Sequence, residues 1–250
     1  MIELERVTKR FGRLEAVRDL SLRVERGELF AFLGPNGAGK TTTVKLIAGL
    51  LRPTAGVVRV SGFDVLREPV EVKRRLSYVP DQPYLYEKLT GREFLEFVGR
   101  LHRMNGAELG RGIDRLLELF GCVDYADELT ESYSHGMKQR IVLASALLTD
   151  PQVLVIDEPM VGLDPRSARL VKDTFRERAR DGVTVFMCTH TLSVAEELAD
   201  RIGIVDRGRL IACGTLAELR RAAPQAASLE ELYLGLTGPD QAEEEPRAHG

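Results

Sequence analysis

The sequence predicts an α/β fold in which a core of parallel strands is interrupted by an inserted helical lobe. Three observations carry this reading. The runs VLVI (153–156) and VTVF (183–186) are almost continuously apolar, as parallel strands covered on both faces should be. Helical patterns separate these strands, which gives βαβ units. From residue 90 the apolar period changes from that of strands to that of helices, and it changes back after residue 151.

Taken in order, the first third is strand-rich. SLRVERGELFAFLG (21–34) reads as two strands around a Glu-Arg-Gly turn, and VVRVSG and LSYVP read as further strands. TGREFLEFVGRL opens with Thr90 and Glu93 in capping-box spacing and places Phe94, Val98 and Leu101 on one helical face. IDRLLELFG repeats the pattern with Ile113, Leu116, Leu117 and Phe120, and residues 134–148 form a third helix. Strands return with QVLVIDEP, GVTVFMCTH and RIGIVDRG. The chain so divides into an α/β core (1–84 and 152–236), a helical lobe (85–151) and a tail (237–250). The tail is rich in Pro, Gly and Glu without periodicity, so disorder is expected there. No internal repeat is visible.

Composition bounds the function. Apolar residues make up 44%, enough for one sizeable packed domain. Lys and Arg number 35 against 38 Asp and Glu, so the basic excess of a general nucleic-acid binder is absent. Cys122, Cys188 and Cys213 are odd in number, far apart, and in or beside apolar stretches; they read as small buried residues of a reducing cytosol. There is no apolar signal segment, and no window approaches the ~18 apolar residues of a spanning helix, so a soluble chain is expected.

The strongest local signal is Gly34-Pro35-Asn36-Gly37-Ala38-Gly39-Lys40-Thr41, with Thr42 behind it. It fits G-x-x-x-x-G-K-[ST], follows an apolar strand and opens a helix. Glycines let the backbone turn its N–H groups onto phosphate oxygens; Lys40 reaches the β and γ phosphates, and the Thr41 hydroxyl can ligate Mg²⁺. Asp157 closes the strand VLVID, where the second Mg²⁺-associated carboxylate of such a site belongs. Glu158 follows at once, and on a pleat adjacent side chains point apart. One carboxylate can then attend the metal while the other takes a proton from water. Within YSHGMKQR, Ser134 as a helix cap with Gly136 behind it leaves open amides at a positive helix end, a ready anion site.

With these motifs in hand, the chain resembles the ATP-binding cassette proteins, specifically the ATPase subunit of an ABC transporter. The resemblance covers nearly all of residues 1–236: the phosphate loop, YSHGMKQR, VLVIDEP, GLDP and CTH occur in the family's order and spacing. It implies a RecA-like P-loop NTPase core with an N-terminal antiparallel β-subdomain and an inserted α-helical subdomain. It also implies Mg-ATP hydrolysis at a head-to-tail dimer interface, each ATP lying between one phosphate loop and the partner's signature motif. By resemblance, Ser134 and Gly136 would hold the γ-phosphate bound by the other subunit, although Tyr133, His135 and Met137 depart from the usual Leu, Gly and Gln.

Asp164 matches the loop crossing between the two sites. His190 matches the switch histidine that contacts the γ-phosphate, and Phe11 stands where an aromatic stacks on adenine, a core Phe being the alternative. Lys40, Glu158 and His190 would be catalytic, with Thr41, Asp157 and Asp81 at the metal. Asp81 stands where Gln is usual, and Gln82 one residue later is the other candidate. Tyr84, Leu85 and Tyr86 either dock a membrane partner or pack the helical lobe. The implied partners are a transmembrane permease subunit and a second cassette, identical or paralogous, with no nucleic acid. The implied place is the cytoplasm, peripheral on the inner face of the membrane. The wording of YSHGMKQR and EPMVGLDP looks more like bacterial ABC-2-type exporters than like importer cassettes. A soluble relative acting on nucleic acid or ribosomes is the rival; one cassette, no heptad run and no basic excess weigh against it.

Overall fold

The computed structural model describes residues 1–222 and 228–237. Along the chain run strands β1 (Ile2–Phe11), β2 (Leu14–Val24) and β3 (Leu29–Leu33), helix α1 (Lys40–Ile47), strands β4 (Ala55–Val60) and β5 (Phe63–Asp64), helix α2 (Pro69–Lys73) and strand β6 (Leu76–Val79). Three helices follow: α3 (Gly91–Leu101), α4 (Gly106–Leu119) and α5 (His135–Leu148). Then come β7 (Val153–Asp157), α6 (Pro165–Arg180), β8 (Thr184–Thr189), α7 (Leu192–Leu198), β9 (Arg201–Asp206), β10 (Arg209–Gly214), α8 (Leu216–Ala222) and α9 (Leu229–Thr237).

Two sheets result. β2-β1-β4-β5 is antiparallel, and β10-β9-β3-β8-β7-β6 is parallel except for β10 at its edge. The Glu-Arg-Gly turn does lie between two strands, but β2 and β3 are not partners. The chain turns at Gly27 (φ 71°) and passes from one sheet to the other.

β3, β7 and β8 are buried along their whole length, which is why they read as unbroken apolar runs. Alternate residues of β3 serve two cores. Leu29, Ala31 and Leu33 face the core shared with the helical lobe, while Phe30 and Phe32 face α1 and the antiparallel sheet. Because β3, β6, β7 and β8 are parallel, their C-terminal ends share one edge, the edge where open α/β sheets bind ligands. The phosphate loop follows β3, Asp81 lies just beyond β6, Asp157 ends β7 and His190 follows β8.

α3 starts as its capping box predicts: Thr90 Oγ1 accepts from the Glu93 amide (3.1 Å) and the Thr90 amide donates to Glu93 Oε2 (2.8 Å). Its buried face differs from the expected one. Gly91, Phe94, Leu95 and Gly99 are buried and Val98 is half-buried, while Leu101 is 66% exposed. The helix is turned so that Gly99 can meet Leu109 of α4, and Leu101 is left outside.

Cys122 and Cys188 are buried as expected, but Cys213 is exposed. It lies on the edge strand β10, where Arg209, Ile211 and Cys213 point outward together. Of the expected tail, Thr237 ends α9 and residues 238–250 lie outside the described residues. Among the described residues no helix is long and apolar enough to cross a membrane.

Candidate active site

The loop after β3 owes its shape to glycine. Gly37 and Gly39 have φ of 81° and 101°, and a side chain on Gly39 would run into the Ala16 carbonyl. Gly39 caps α1 with no side-chain bond, so the first amides of that helix face outward unclaimed. Lys40 is 7% exposed, and its ammonium donates to the Gly34 (2.7 Å) and Pro35 (3.1 Å) carbonyls. Gly34 lies against the Val205 backbone, and buried Ala38 accepts from the Gly208 amide. These two shape the loop from beneath. Asn36, Gly37, Gly39, Lys40, Thr41 and Thr42 line an open cavity of about 430 Å³. Phe11, Leu14, Ala16, Asp81, Asp157, Glu158 and His190 line its other sides.

The two acids differ in kind. Asp157 is 1% exposed, and its Oδ2 has no hydrogen-bond partner. Burial pushes its carboxyl above the usual range, the Thr41 hydroxyl pulls the other way, and the charges of Asp81 and Glu158 add to the rise. An unpaired, desolvated carboxylate oxygen beside Thr41 suits a bound cation, so these residues fit the implied Mg²⁺.

The pleat does not set the direction of Glu158. β7 ends at Asp157, and Glu158 has a left-handed backbone (φ 50°) with its amide bonded to the Cys188 carbonyl (2.9 Å). Its carboxylate accepts from His190 Nδ1 (2.7 Å) and from Thr189 Oγ1 (3.2 Å). A positive φ in a residue with a side chain marks strain held by its surroundings, and such residues gather at active sites.

Ser134 caps α5, accepting from the Met137 amide (3.3 Å). Neither it nor Gly136 lines the cavity. Gly136 instead faces the loop after β7: a side chain there would stand 2.8 Å from the Gly162 carbonyl. The unusual Tyr133 is buried, donating to the Tyr125 carbonyl (2.5 Å) and accepting from the Gly91 amide (3.2 Å). It ties the start of α5 to the start of α3.

Residues 17–161 match the family model described as ABC transporter. The chain belongs to this family. It is 45% identical over 219 residues to the daunorubicin resistance ATP-binding protein DrrA3 of Streptomyces coeruleorubidus, a match spanning 88% of this chain and 69% of that one. It is 36% identical to the ABC transporter ATP-binding protein NatA of Bacillus subtilis, spanning 88% and 91%. A solved ATP-binding subunit of an ABC transporter superposes with a TM-score of 0.90 at 34% identity, covering 94% of this chain and 99% of that one. A dimeric cassette in a post-hydrolysis state, bound to ADP and Pi, superposes with a TM-score of 0.77 at 27% identity, covering 86% and 99%. The chain is an ABC ATP-binding subunit, an Mg-ATP hydrolase coupled to transport through a transmembrane partner.

The remaining candidates of this cassette can now be placed. Phe11 is 47% exposed at the cavity, with Lys9 Nζ 4.9 Å from its ring centre, so it is no core residue. Asp81 lines the cavity and Gln82 does not; the Gln82 amide donates to Asp81 Oδ1 (2.8 Å). Leu85 packs the core, whereas Tyr84 and Tyr86 stay exposed. Tyr86 meets Phe97 edge to face (5.4 Å between centroids) and Tyr84 likewise (6.0 Å), so the three exposed rings form an aromatic ridge on the helical lobe. Asp164 caps α6, accepting from the Arg166 and Ser167 amides (2.9 and 3.1 Å) and from the Ser167 hydroxyl, which holds its carboxyl below the usual range. Sequence reasoning missed Thr189, since a threonine ending a strand carries no signal beyond β-propensity.

Proposed function

We propose that this cassette is the ATPase motor of an exporter of the drug-resistance kind, acting from the cytoplasmic face through a separate permease. The observation that carries it is one sheet edge that gathers Lys40, Asp157 and the Glu158–His190 pair in a single cavity, while the open amides of Ser134 and Gly136 lie outside it. The relatives' names include daunorubicin and linearmycin resistance, which favours export. The cargo is chosen by the membrane subunit.

In this reading Phe11 stacks on the adenine, and the amides of the loop from Gly34 to Thr42 take the phosphates. Lys40 exchanges the Gly34 and Pro35 carbonyls for the β- and γ-phosphates. Thr41, Asp157 and Asp81 would hold Mg²⁺, which would supply neutralisation of phosphate charge. Glu158 takes the proton of the attacking water as oxygen bonds to the γ-phosphorus and the bond to the β-phosphate oxygen breaks. His190 holds the Glu158 carboxylate in place and contacts the γ-phosphate. Ser134 and Gly136 of a second copy close over that phosphate with helix-end amides. Residues 85–151 move as a lobe against the core of 1–84 and 152–236, and the Tyr84–Tyr86–Phe97 ridge receives the permease.

The test is capture of the tagged chain from detergent-solubilised membranes of its host. A stoichiometric polytopic membrane protein is expected, lost on Tyr84→Ala/Tyr86→Ala while the ATPase of the isolated subunit stays within twofold. Recovery of ribosomal or DNA-associated proteins alone would overturn the reading.

A further inference from the structure

α5 contains a polar side chain with none of its hydrogen bonds made. Gln139 is 0% exposed, and neither its Nε2 nor its Oε1 has a partner. A primary amide brings two donors and an acceptor with two lone pairs. Burying all of them unpaired disfavours the state in which it happens, and a thioether or a leucine would fill the same space without that penalty. An orphaned amide in a fold whose other buried polar groups are mostly paired calls for a second state in which it is satisfied.

Its position says where the partner lies. Gln139 is three residues past Gly136 and four past His135, hence next to both on one face of α5. That face meets the loop after β7: the Gly162 carbonyl abuts Gly136, and Gly162 packs on the His135 ring. The loop runs from Glu158 to the helix cap at Asp164. Its internal bonds are long, Val161 N–H to the Glu158 carbonyl and Leu163 N–H to the Met160 carbonyl, both 3.3 Å. Loosely bonded backbone beside an unsatisfied amide is an element with two available arrangements.

We infer that Gln139 is a positioning residue: unpaired without nucleotide, its amide bonds the backbone of the Met160–Leu163 loop when ATP closes the two-cassette site. The bond fixes the loop that continues from Glu158 and so sets the base. The unpaired amide also raises the free energy of the resting state, so closure is favoured by the difference. This inference rests on the two-cassette reading above.

The test is Gln139→Met, alone and in a Glu158→Gln background. The melting temperature of the nucleotide-free protein should rise by about 2–4 °C, because an unpaired group has been removed. ATP turnover should fall about 3- to 10-fold, one hydrogen bond's worth, with KM for ATP within twofold. Mg-ATP-driven dimerisation of the Glu158→Gln protein should weaken by a similar factor. A nucleotide-free protein that melts lower or fails to fold would show the amide to be structural, and would overturn the inference. So would unchanged turnover and dimerisation. If the Glu158→Gln protein with Gln139 intact gives no dimer in Mg-ATP, the two-cassette reading fails and the inference with it. If it gives a dimer that Gln139→Met leaves as strong, the inference alone fails.

Discussion

The starts of α1 and α5 are both helix N-termini with open amides, yet they are finished in opposite ways. At α1 the cap is a left-handed glycine with no side-chain bond, Lys40 is folded into the loop, and Asp157, Glu158 and His190 wall a cavity. At α5 Ser134 takes up one amide, and neither Ser134 nor Gly136 lines the cavity walled by Asp157 and Glu158. In the proposed reading the first end does chemistry on a phosphate and the second only binds one. That reading needs a second cassette to join the two halves.

Breaking the α1 half at its base should give the largest effect. Glu158→Gln is expected to lower phosphate release ~10²–10⁴-fold while ATP binding persists, measured by steady-state release and equilibrium dialysis. Damage to the α5 half should leave binding alone and affect turnover only. Gly136→Ala keeps the amide but pushes a methyl group against the Gly162 carbonyl; displacing the amide in this way is expected to cost about 10²-fold in kcat, comparable to losing a charge-stabilising donor. Loss of nucleotide affinity in isolated Gly136→Ala protein would break the comparison.

Smaller effects sharpen it. Phe11→Ala should raise KM about tenfold and leave kcat near wild type, because stacking holds the base in ground and transition states alike. Asp157→Asn, read on stability, should raise the melting temperature of the nucleotide-free protein at neutral pH by a few degrees. Here the sign follows from burial. The Asp157 carboxyl is raised in the folded chain, so its neutral form contributes stability fully below the ordinary carboxylate value, and that contribution is lost as pH rises through the raised one. The advantage of Asn should therefore shrink as pH is lowered into the carboxylate range, read by thermal melts across pH.

What was legible in the sequence was local. The phosphate loop needs a fixed glycine spacing, and buried strands need unbroken apolar runs, so both could be read directly. Leu101 was placed inside because apolar period fixes the repeat of a helix face but not its rotation when glycine makes the contact; Gly91 and Gly99 are invisible to hydropathy. Glu158 was found, but its direction comes from a left-handed turn rather than a pleat, and nothing local to one glutamate foretells a positive φ. Thr189 and Gln139 escaped because their meaning lies in partners 31 residues away in the first case and absent in the second. Asp81 was named from spacing, with Gln82 as the other candidate, and the turn beyond β6 puts Asp81 on the cavity wall.

The most direct test of the divided site is the mass in solution of the Glu158→Gln protein by light scattering in saturating Mg-ATP. Close to twice the 27.8 kDa of one chain is expected, returning to one chain's mass when Gly136→Ala is added. ATP held at full occupancy by a protein that remains at 27.8 kDa would contradict a site shared between two copies of this chain.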